Sequence, residues 1–372
     1  MDKEKLAIIK LNMVAELGPK KIVALSNYFG SAYNVLFASL KDLQMVDKIT
    51  EKIALSIKHT VDSNIIDKEI SLAKENGIDI FVYTEENYPL PLKDIYDFPP
   101  VLYVKGNIKK NDSVSVAVVG SRMPTNYGRA VTSTFCKYFA ENEITVISGL
   151  ARGIDTEAHQ SILKYNGRTI AVLGNGLLEY YPKENKKLQD KISQNCAVIS
   201  EFPLQQRPDK QHFPRRNRII AGLSMATVVV EATASSGAII TAELATEYGR
   251  DVFAVPGPIF SAYSKGPNNL IKNGSLIALE PQDVVNEIQL LSTWVSKKKK
   301  QKKLKTENMS NIKDKNSINI LKMIESSING ISTDELSEYF EIDIPELSTI
   351  LVELELNGFI KSMPGQIYIR NS

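Results

Sequence analysis

The sequence has few cysteines and histidines and no long hydrophobic run. Its 372 residues include two cysteines and three histidines, far apart along the chain. Neither a disulfide scaffold nor a zinc module is therefore expected, and no other metal site either. No segment approaches the roughly 18 to 20 consecutive apolar residues of a membrane helix, and the charged start, residues 1–5, does not resemble a signal peptide. We expect a cytoplasmic protein with reduced cysteines.

Common nucleotide-binding and catalytic signatures are also absent. The chain contains no Gly-Lys dipeptide, which excludes a Walker A loop, and no G-x-G-x-x-G follows the first predicted strands, which argues against a dinucleotide oxidoreductase. No Gly-x-Ser-x-Gly elbow occurs, and His159 and His212 have no evident nucleophile partner. His159 follows Asp155 and Glu157 on a predicted helix, and a structural hydrogen bond explains it better than catalysis.

The net charge of +2 is unevenly distributed. Residues 297–305 carry seven lysines, whereas residues 316–372 hold nine acids and three bases, a net charge of −6. The main body, residues 1–296, is close to neutral at +1. A polyanion site in the main body must therefore be built by local placement of arginine and lysine, because bulk charge does not supply it.

The first part of the chain, residues 1–65, has the hydrophobic period of short helices. Its Gly18-Pro19-Lys20 turn is similar to that of a helix-hairpin-helix or SAM-like domain, whose amides and lysines can contact a nucleic-acid phosphate. The second hairpin expected around residues 46–50 lacks its glycine. A degenerate packing module without DNA contact is the alternative that we favour. Residues 66–100 are predicted to connect this domain to the next.

Residues 101–291 have the pattern of a doubly wound, extended Rossmann-like α/β domain with a mostly parallel sheet. Short apolar runs rich in β-branched residues alternate with helical stretches, as expected of strands buried on both faces. The runs are 101–104, 114–119, 144–147, 169–173, 197–199, 227–230 and 252–255. The domain should end near Leu291, followed by a Lys-rich linker at 292–315. An apolar stripe of Val284, Val285, Ile288 and Leu291 on one predicted helix favours core slightly over dimer interface.

The last segment, residues 316–372, predicts a winged-helix domain, because three helical stretches precede a hairpin. Its third helix, residues 345–357, carries Glu346, Glu353 and Glu355 and no base. Placed in a major groove, that helix would set acids against phosphates. We therefore expect a module that contacts protein.

Glycines and cations cluster where three successive predicted strands end. The clusters are Gly120-Ser121-Arg122, the residues 148–155 with Gly149 and Arg152, and Gly174-Asn175-Gly176 with Tyr181-Pro182-Lys183 beyond. Ligands of open α/β sheets bind outside the carboxyl ends of the strands. Glycines let backbone amides approach a phosphate, and arginine adds bidentate donors. Three such loops favour a phosphate-bearing ligand over simple turns.

Two further segments favour a nucleic-acid strand as that ligand. Phe213-Pro214-Arg215-Arg216-Asn217-Arg218 places three guanidiniums beside an aromatic ring, a combination in which bases stack and phosphates pair. Ser235-Ser236-Gly237 begins a predicted helix and gives another amide-lined turn.

Taken in order, these motifs resemble the DNA-processing protein A family, also called DprA or Smf. The motifs are Gly120-Ser121-Arg122, residues 148–155 (SGLARGID), Tyr181-Pro182, Ser200-Glu201, residues 213–222 (FPRRNRIIAG), Ser236-Gly237, residues 249–257 (GRDVFAVPG) and Leu270-Ile271. The resemblance covers about residues 100–290; Gln205 and Ser275 depart from the glycine and alanine that members often have. It implies a single-stranded-DNA-binding protein of natural transformation that protects incoming DNA and helps to load the RecA recombinase. It also implies a homodimer through the α/β domain, no cofactor and no catalytic step.

The resemblance places the DNA site at Arg122 of the Gly-Ser-Arg loop and at Lys183, Arg216 and Asn217. Together with the loops described above, the predicted DNA-binding residues are Gly120, Ser121, Arg122, Gly149, Arg152, Gly174, Lys183, Phe213, Arg215, Arg216, Asn217, Ser236 and Gly237. The competing hypothesis is a nucleotide-hydrolysing enzyme of the lysine-decarboxylase-like Rossmann group. That group has Pro-Gly-Gly-x-Gly-Thr at the turn where this chain has residues 234–239, ASSGAI.

Overall fold

A nine-stranded sheet with helices on both faces forms the larger part of the computed structural model. The structure describes residues 2–61, 64–311, 315–327 and 330–370, and the chain divides into two units, Met1–Trp294 and Val295–Ser372. The helices are α1 (Lys3–Asn12), α2 (Pro19–Phe29), α3 (Ala32–Phe37), α4 (Leu40–Leu43), α5 (Glu51–Val61), α6 (Ile65–Glu75), α7 (Leu90–Lys93), α8 (Asn126–Glu141), α9 (Ile154–Lys164), α10 (Lys186–Asn195), α11 (His212–Leu223), α12 (Gly237–Glu247), α13 (Lys265–Lys272), α14 (Pro281–Glu287), α15 (Gln289–Asn311), α16 (Lys315–Ser326), α17 (Thr333–Phe340) and α18 (Ile344–Leu356). The strands are β1 (Ile78–Val82), β2 (Val101–Gly106), β3 (Ser115–Val119), β4 (Thr145–Ser148), β5 (Thr169–Val172), β6 (Ala197–Ser200), β7 (Ala226–Val229), β8 (Asp251–Ala254), β9 (Leu276–Ile277), β10 (Ile331–Ser332), β11 (Ile360–Met363) and β12 (Ile367–Arg370).

The large sheet has the strand order β1-β2-β6-β5-β4-β3-β7-β8-β9. From β6 to β9 every neighbouring pair is parallel, whereas β2 pairs antiparallel with both β1 and β6. The chain builds outward from β3 in one direction through β4, β5 and β6, and then in the other direction through β7, β8 and β9. The predicted doubly wound, mostly parallel sheet is therefore confirmed.

An apolar core lies on each face of this sheet. Along β2, Tyr103 belongs to one core and its neighbours Leu102 and Val104 belong to the other, as the alternation of side chains in a strand requires. The first core also includes buried residues of the N-terminal helices, among them Ile8 and Leu25. The predicted N-terminal helical domain is thus packed on the sheet through a shared core.

The turn before α2, which the sequence marks as a possible phosphate-binding hairpin, uses its lysines within the protein. The ammonium of Lys20 lies 4.1 Å from the centroid of the Tyr96 ring. Lys21 donates to the carbonyl oxygen of Glu16 at 3.3 Å. These contacts agree with the packing-module alternative that the sequence favours, and the absence of DNA contact by this turn stays a prediction.

The apolar stripe at the end of the first unit belongs to the core, but it does not lie on one helix. Val284, Val285 and Leu291 are buried. Helix α14 ends before Ile288, whose φ of −101° and ψ of 107° are extended, and α15 begins immediately after it. The prediction of a single helix was wrong because periodicity does not register a one-residue break.

The second unit has the predicted winged-helix architecture. Helices α16, α17 and α18 enclose a small core with buried Ile320, Leu336 and Leu351, and β10, β12 and β11 form an antiparallel sheet in that order. Helix α15 includes most of the predicted linker, residues 292–315. The domain boundaries drawn from the sequence stay predictions. Within the described ranges, none of the helices combines the length and apolarity needed to cross a membrane.

Candidate nucleic-acid interface

A groove of about 580 Å³ opens at the carboxyl ends of the parallel strands. It lies beside β3, from which the strand order runs in opposite directions along the sheet. Open α/β sheets usually bind their ligands at this position. Loops that follow β3, β4 and β7 line it together with the start of α11. The lining residues include Gly120, Ser121, Arg122, Met123, Ala151, Asp155, Tyr181, Lys210, Phe213, Arg216, Asn217, Thr233, Ser236, Gly237, Ile240 and Tyr263.

Two exposed cations at this groove are free of carboxylate partners. Arg122 and Lys210 both line it, and neither forms an ion pair with any residue that the structure describes. The Arg122 guanidinium lies 5.8 Å from the centroid of the Phe213 ring, and that ring lies 5.3 Å from the Tyr181 ring at an angle of 36°. A cation and two neighbouring aromatic rings therefore share one wall.

A third cation, Arg216, lies buried at the floor of the groove. Its guanidinium donates to the carbonyl oxygens of Gly149 and Val172, and its Nε donates to Oδ1 of Asn217 at 3.2 Å. Burial lowers the pKa of Arg216 to about 10, and the nearby carboxylate of Asp155 acts in the opposite direction. Because that pKa is still above neutral, Arg216 carries its charge under ordinary conditions.

Asp155, at the start of α9, organises the loop after β4. Its Oδ2 accepts the amide N–H of Gly149 at 3.2 Å and of Ala151 at 3.3 Å. Burial raises the pKa of Asp155, while Arg216 and these amides favour its charged form. The Gly149 amide is consequently used inside the protein. Glycine is required here for another reason, because a Cβ would collide with the Arg216 guanidinium.

The other loop glycines also make room for neighbouring side chains. A Cβ on Gly174 would lie 2.9 Å from Cδ1 of Phe213, and one on Gly120 would lie 2.7 Å from Cγ1 of Ile154. Ser121 shapes the first loop, since its hydroxyl accepts the Met123 amide at 3.1 Å. These glycines bring the Phe213 ring and the loops into place around the groove.

The N-terminus of α12 forms another part of the groove wall. The Ser236 hydroxyl accepts the Ala238 amide at 3.3 Å, and the Gly237 carbonyl accepts from the Asn217 side chain at 3.1 Å. Gly237 is exposed, and no atom lies within 4 Å of the position that its Cβ would occupy. An 11-residue helix thus directs the positive end of its dipole at open space in the groove.

The three guanidiniums of the 215–218 segment do not act as one cluster. Arg215 and Arg218 share the buried carboxylate of Glu201, at 2.7 and 2.5 Å. The Arg215 guanidinium lies 5.1 Å from the Phe202 ring centroid, and Arg215 is not among the lining residues. Of the predicted cations in this segment, only Arg216 reaches the groove.

A smaller adjoining pocket contains Gly149, Arg152 and Gly174 and shares Arg122, Phe213 and Arg216 with the groove. Arg152 is ion-paired with Glu184 there. Lys183 is exposed and lines neither space. The structure therefore gathers the predicted site residues except Arg215 and Lys183.

Sequence reasoning missed Lys210, Tyr263 and the exposed apolar side chains Met123 and Ile240 as groove residues. The position of Lys210, three residues before Phe213, was the one available signal, because basic and aromatic residues interleave in single-strand sites.

The buried histidine of α9 has a structural contact. Nδ1 of His159 lies 2.7 Å from Oγ1 of Thr169, the kind of hydrogen bond that the sequence favoured over catalysis. Burial lowers the pKa of His159 to about 3, with the charge of Arg216 acting in the same direction, so the ring is neutral. Among the residues described, no group of three His, Cys, Asp or Glu side chains could hold a metal ion.

Two family models match this chain, one over the α/β unit that contains the groove and one over the winged helix that follows it in sequence. The first is described as DNA recombination-mediator protein A and matches residues 79–289; the second is described as the DprA winged helix domain and matches residues 319–366. The chain belongs to the DNA recombination-mediator protein A family, whose members are called DprA or Smf.

Several relatives cover most of the chain. Protein Smf of Escherichia coli is 39% identical over 291 residues, 77% of this chain and 75% of the relative. The DNA processing protein DprA of Streptococcus pneumoniae is 46% identical over 209 residues, 56% of this chain and 74% of the relative. The X-ray structure of the Streptococcus pneumoniae protein superposes with a TM-score of 0.67 at 35% identity and covers 78% of this chain and 99% of its own. The structure of DNA processing protein A from Helicobacter pylori, which concerns the single-stranded DNA binding mode of that protein, has a TM-score of 0.52 at 30% identity and covers 56% and 94%.

Proposed function

We propose that this protein binds single-stranded DNA in the groove at the centre of its sheet and acts in DNA processing during natural transformation. The observation that carries the proposal is the groove wall on which the free Arg122 lies beside the Phe213 and Tyr181 rings. A single strand offers the two kinds of group that such a wall binds, phosphates for the cation and unpaired bases for the rings.

The phosphates have several donors within the groove. Arg122 and Lys210 are exposed and without ion-pair partners among the described residues, so they can contact phosphate oxygens without breaking an internal bond. The start of α12 at Gly237 adds the positive end of a helix dipole. The buried charge of Arg216 raises the potential of the floor without leaving its own hydrogen bonds.

The bases distinguish a single strand from a duplex. In a duplex the faces of the bases are stacked on one another and cannot reach a side chain, whereas a splayed base can lie on Phe213 or Tyr181. The exposed groove residues Met123 and Ile240 add apolar surface for the same purpose. We therefore expect a preference for single strands.

We also propose that the groove performs no catalysis. Its carboxylate, Asp155, is buried and accepts two amides, and His159 is buried against Thr169. Both groups serve loop geometry, which argues against the nucleotide-hydrolase alternative. Release of free base from nucleoside monophosphates by the purified protein would favour that alternative.

In the wider process, we propose that the bound protein protects the incoming strand and helps to load the RecA recombinase. Phosphates and bases held in a groove are withdrawn from nucleases, which accounts for protection. Assembly as a homodimer through the α/β unit would let two grooves hold one strand, raising effective concentration and residence time. We place this activity in the cytoplasm, where RecA acts.

The proposal is tested by comparing Arg122→Ala with Arg215→Ala in gel shifts on single-stranded and duplex DNA. Arg122→Ala should weaken single-strand binding about tenfold for one charge-assisted phosphate contact. It should also lower the salt slope by about 0.7, because one fewer counterion is released. Arg215→Ala is the matched control and should stay within about twofold of the parent protein, because Glu201 keeps Arg218 as a partner.

Two results would contradict the proposal. Equal affinity for single strands and duplex at matched salt would remove the role of the aromatic wall. A loss in Arg215→Ala as large as in Arg122→Ala would place the DNA outside the groove.

A further inference from the structure

The loop between β8 and α13 exposes an apolar tip. Ile259 is 75% exposed and Phe260 is 95% exposed. Full exposure of a phenylalanine leaves a large apolar surface in water without any gain for the fold. At these exposures the tip packs against little of the fold, and its surface is available for binding.

The base of the loop is held firmly by side chains outside it. The Tyr127 hydroxyl donates to the carbonyl oxygen of Pro256 at 3.0 Å. The Asn268 side chain accepts the Gly257 amide at 3.2 Å and donates to the Gly257 carbonyl at 3.0 Å. An anchored loop presents its tip in one position, which lowers the entropic cost of binding there.

The loop is continuous with the rim of the groove. Tyr263, three residues after Phe260, lines the groove itself. The Tyr263 carbonyl accepts the amide of Ala232 at 2.7 Å, and Ala232 directly precedes the groove residue Thr233. A strand that leaves the groove past Tyr263 would therefore run toward this loop.

The charge around the tip suits a polyanion. Residues 252–279 contain two lysines, Lys265 and Lys272, and no aspartate or glutamate. Asp251 and Glu280 stand just outside this range, so the segment that carries the exposed ring has lysines and no acid of its own. Aromatic and basic residues together are typical of single-strand-binding segments, in which bases stack and the backbone pairs with cations.

We propose that Ile259 and Phe260 form a second base-stacking site, which receives an unpaired base of the DNA strand after the strand leaves the groove. This inference rests on the proposed function of the groove and names a further part of its binding site. It extends the contact area beyond the wall formed by Arg122, Tyr181 and Phe213.

The test compares Phe260→Ala, Phe260→Trp and Arg122→Ala in the full chain with oligothymidylates of increasing length. Because a stacked base contributes roughly 1 to 3 kcal/mol, Phe260→Ala should weaken binding of long oligonucleotides by about fivefold or more. The shortest oligonucleotides that still bind should be unaffected, since they fill only the groove. Phe260→Trp should restore the affinity, and its added fluorescence should be quenched by the long oligonucleotides.

The outcomes separate this inference from the proposed function. If Arg122→Ala weakens binding at every length while Phe260→Ala changes none, the second site is wrong and the groove stands. If Arg122→Ala changes nothing, the proposed function fails. If Phe260→Ala leaves affinity for DNA intact and instead reduces the molar mass in light scattering, the tip is a contact between copies of the chain and the second site is overturned.

Discussion

The carboxylate of Glu184 forms an ion pair with the cation of the small pocket beside the groove. Replacing this carboxylate with an uncharged group should therefore tighten DNA binding. Arg152 lines that pocket, and its Nε donates to the Glu184 carboxylate. This hydrogen bond lowers the pKa of Glu184, so the carboxylate is ionised and the pair is formed at neutral pH. In Glu184→Gln the partner loses its charge, and Arg152 becomes available to a phosphate.

The size of the effect follows from the exposure of the pair. Both side chains are more than half exposed, at 59% and 51%, so water and salt screen their attraction and a phosphate already competes with the carboxylate to some extent. We expect Glu184→Gln to tighten single-strand binding by about twofold to fivefold, the range of a modest exposed contact. The salt slope should become steeper by up to about 0.7.

The assay is fluorescence anisotropy with a labelled oligonucleotide at several salt concentrations, and the control is Arg152→Ala alone and combined with Glu184→Gln. Arg152→Ala should bind nearly as the parent protein does, because its guanidinium is already engaged. The combined variant should lose the gain. A gain of equal size with and without Arg152 would refute the reasoning and would reduce the effect to general repulsion by a carboxylate.

Two further predictions concern the floor of the groove and the second unit. Gly149→Ala forces the buried Arg216 away from its carbonyl partners, so the free energy of unfolding should fall by about 1 to 3 kcal/mol and single-strand affinity should fall with it. Denaturant unfolding and gel shifts measure both, and an unchanged protein would contradict the packing described. Deleting residues 316–372 should leave single-strand affinity nearly intact in a gel shift, since a segment of net charge −6 repels DNA; loss of binding would instead make the winged helix a DNA reader.

Most of the sheet could be predicted because buried parallel strands have a simple signature. All seven apolar runs of residues 101–255 are strands, β2 to β8. The two missed strands lie at the edges. β1 alternates buried and exposed residues within the predicted connecting segment, and β9 has only two residues, Leu276 and Ile277. Edge strands are half-exposed or short, so continuous hydrophobicity does not reveal them.

The sequence predicts which loops form the site, but it does not predict which side chains pair with one another there. The positions of Gly120, Gly149 and Gly174 at strand ends are local, and topology brings them together. Whether a cation is free depends on carboxylates outside its own motif, such as Glu184 for Arg152, 32 residues along the chain. The sequence also could not show that Gly149 serves a side chain, because that requirement arises only after folding places Arg216 beneath it.

Under the proposed function, these pairings determine which groups of the groove can hold the strand. Of the cations that the sequence offered, Arg152 and Arg215 are bonded to carboxylates and Arg216 to backbone carbonyls, which leaves Arg122 as the free guanidinium among those described at the groove. With so few free charges, counterion release alone supplies a small part of the affinity. The aromatic wall must then supply the larger part, and stacking is insensitive to salt. If the groove binds DNA as proposed, the protein should retain single strands, and discriminate against duplex, under conditions in which a purely electrostatic site would release both.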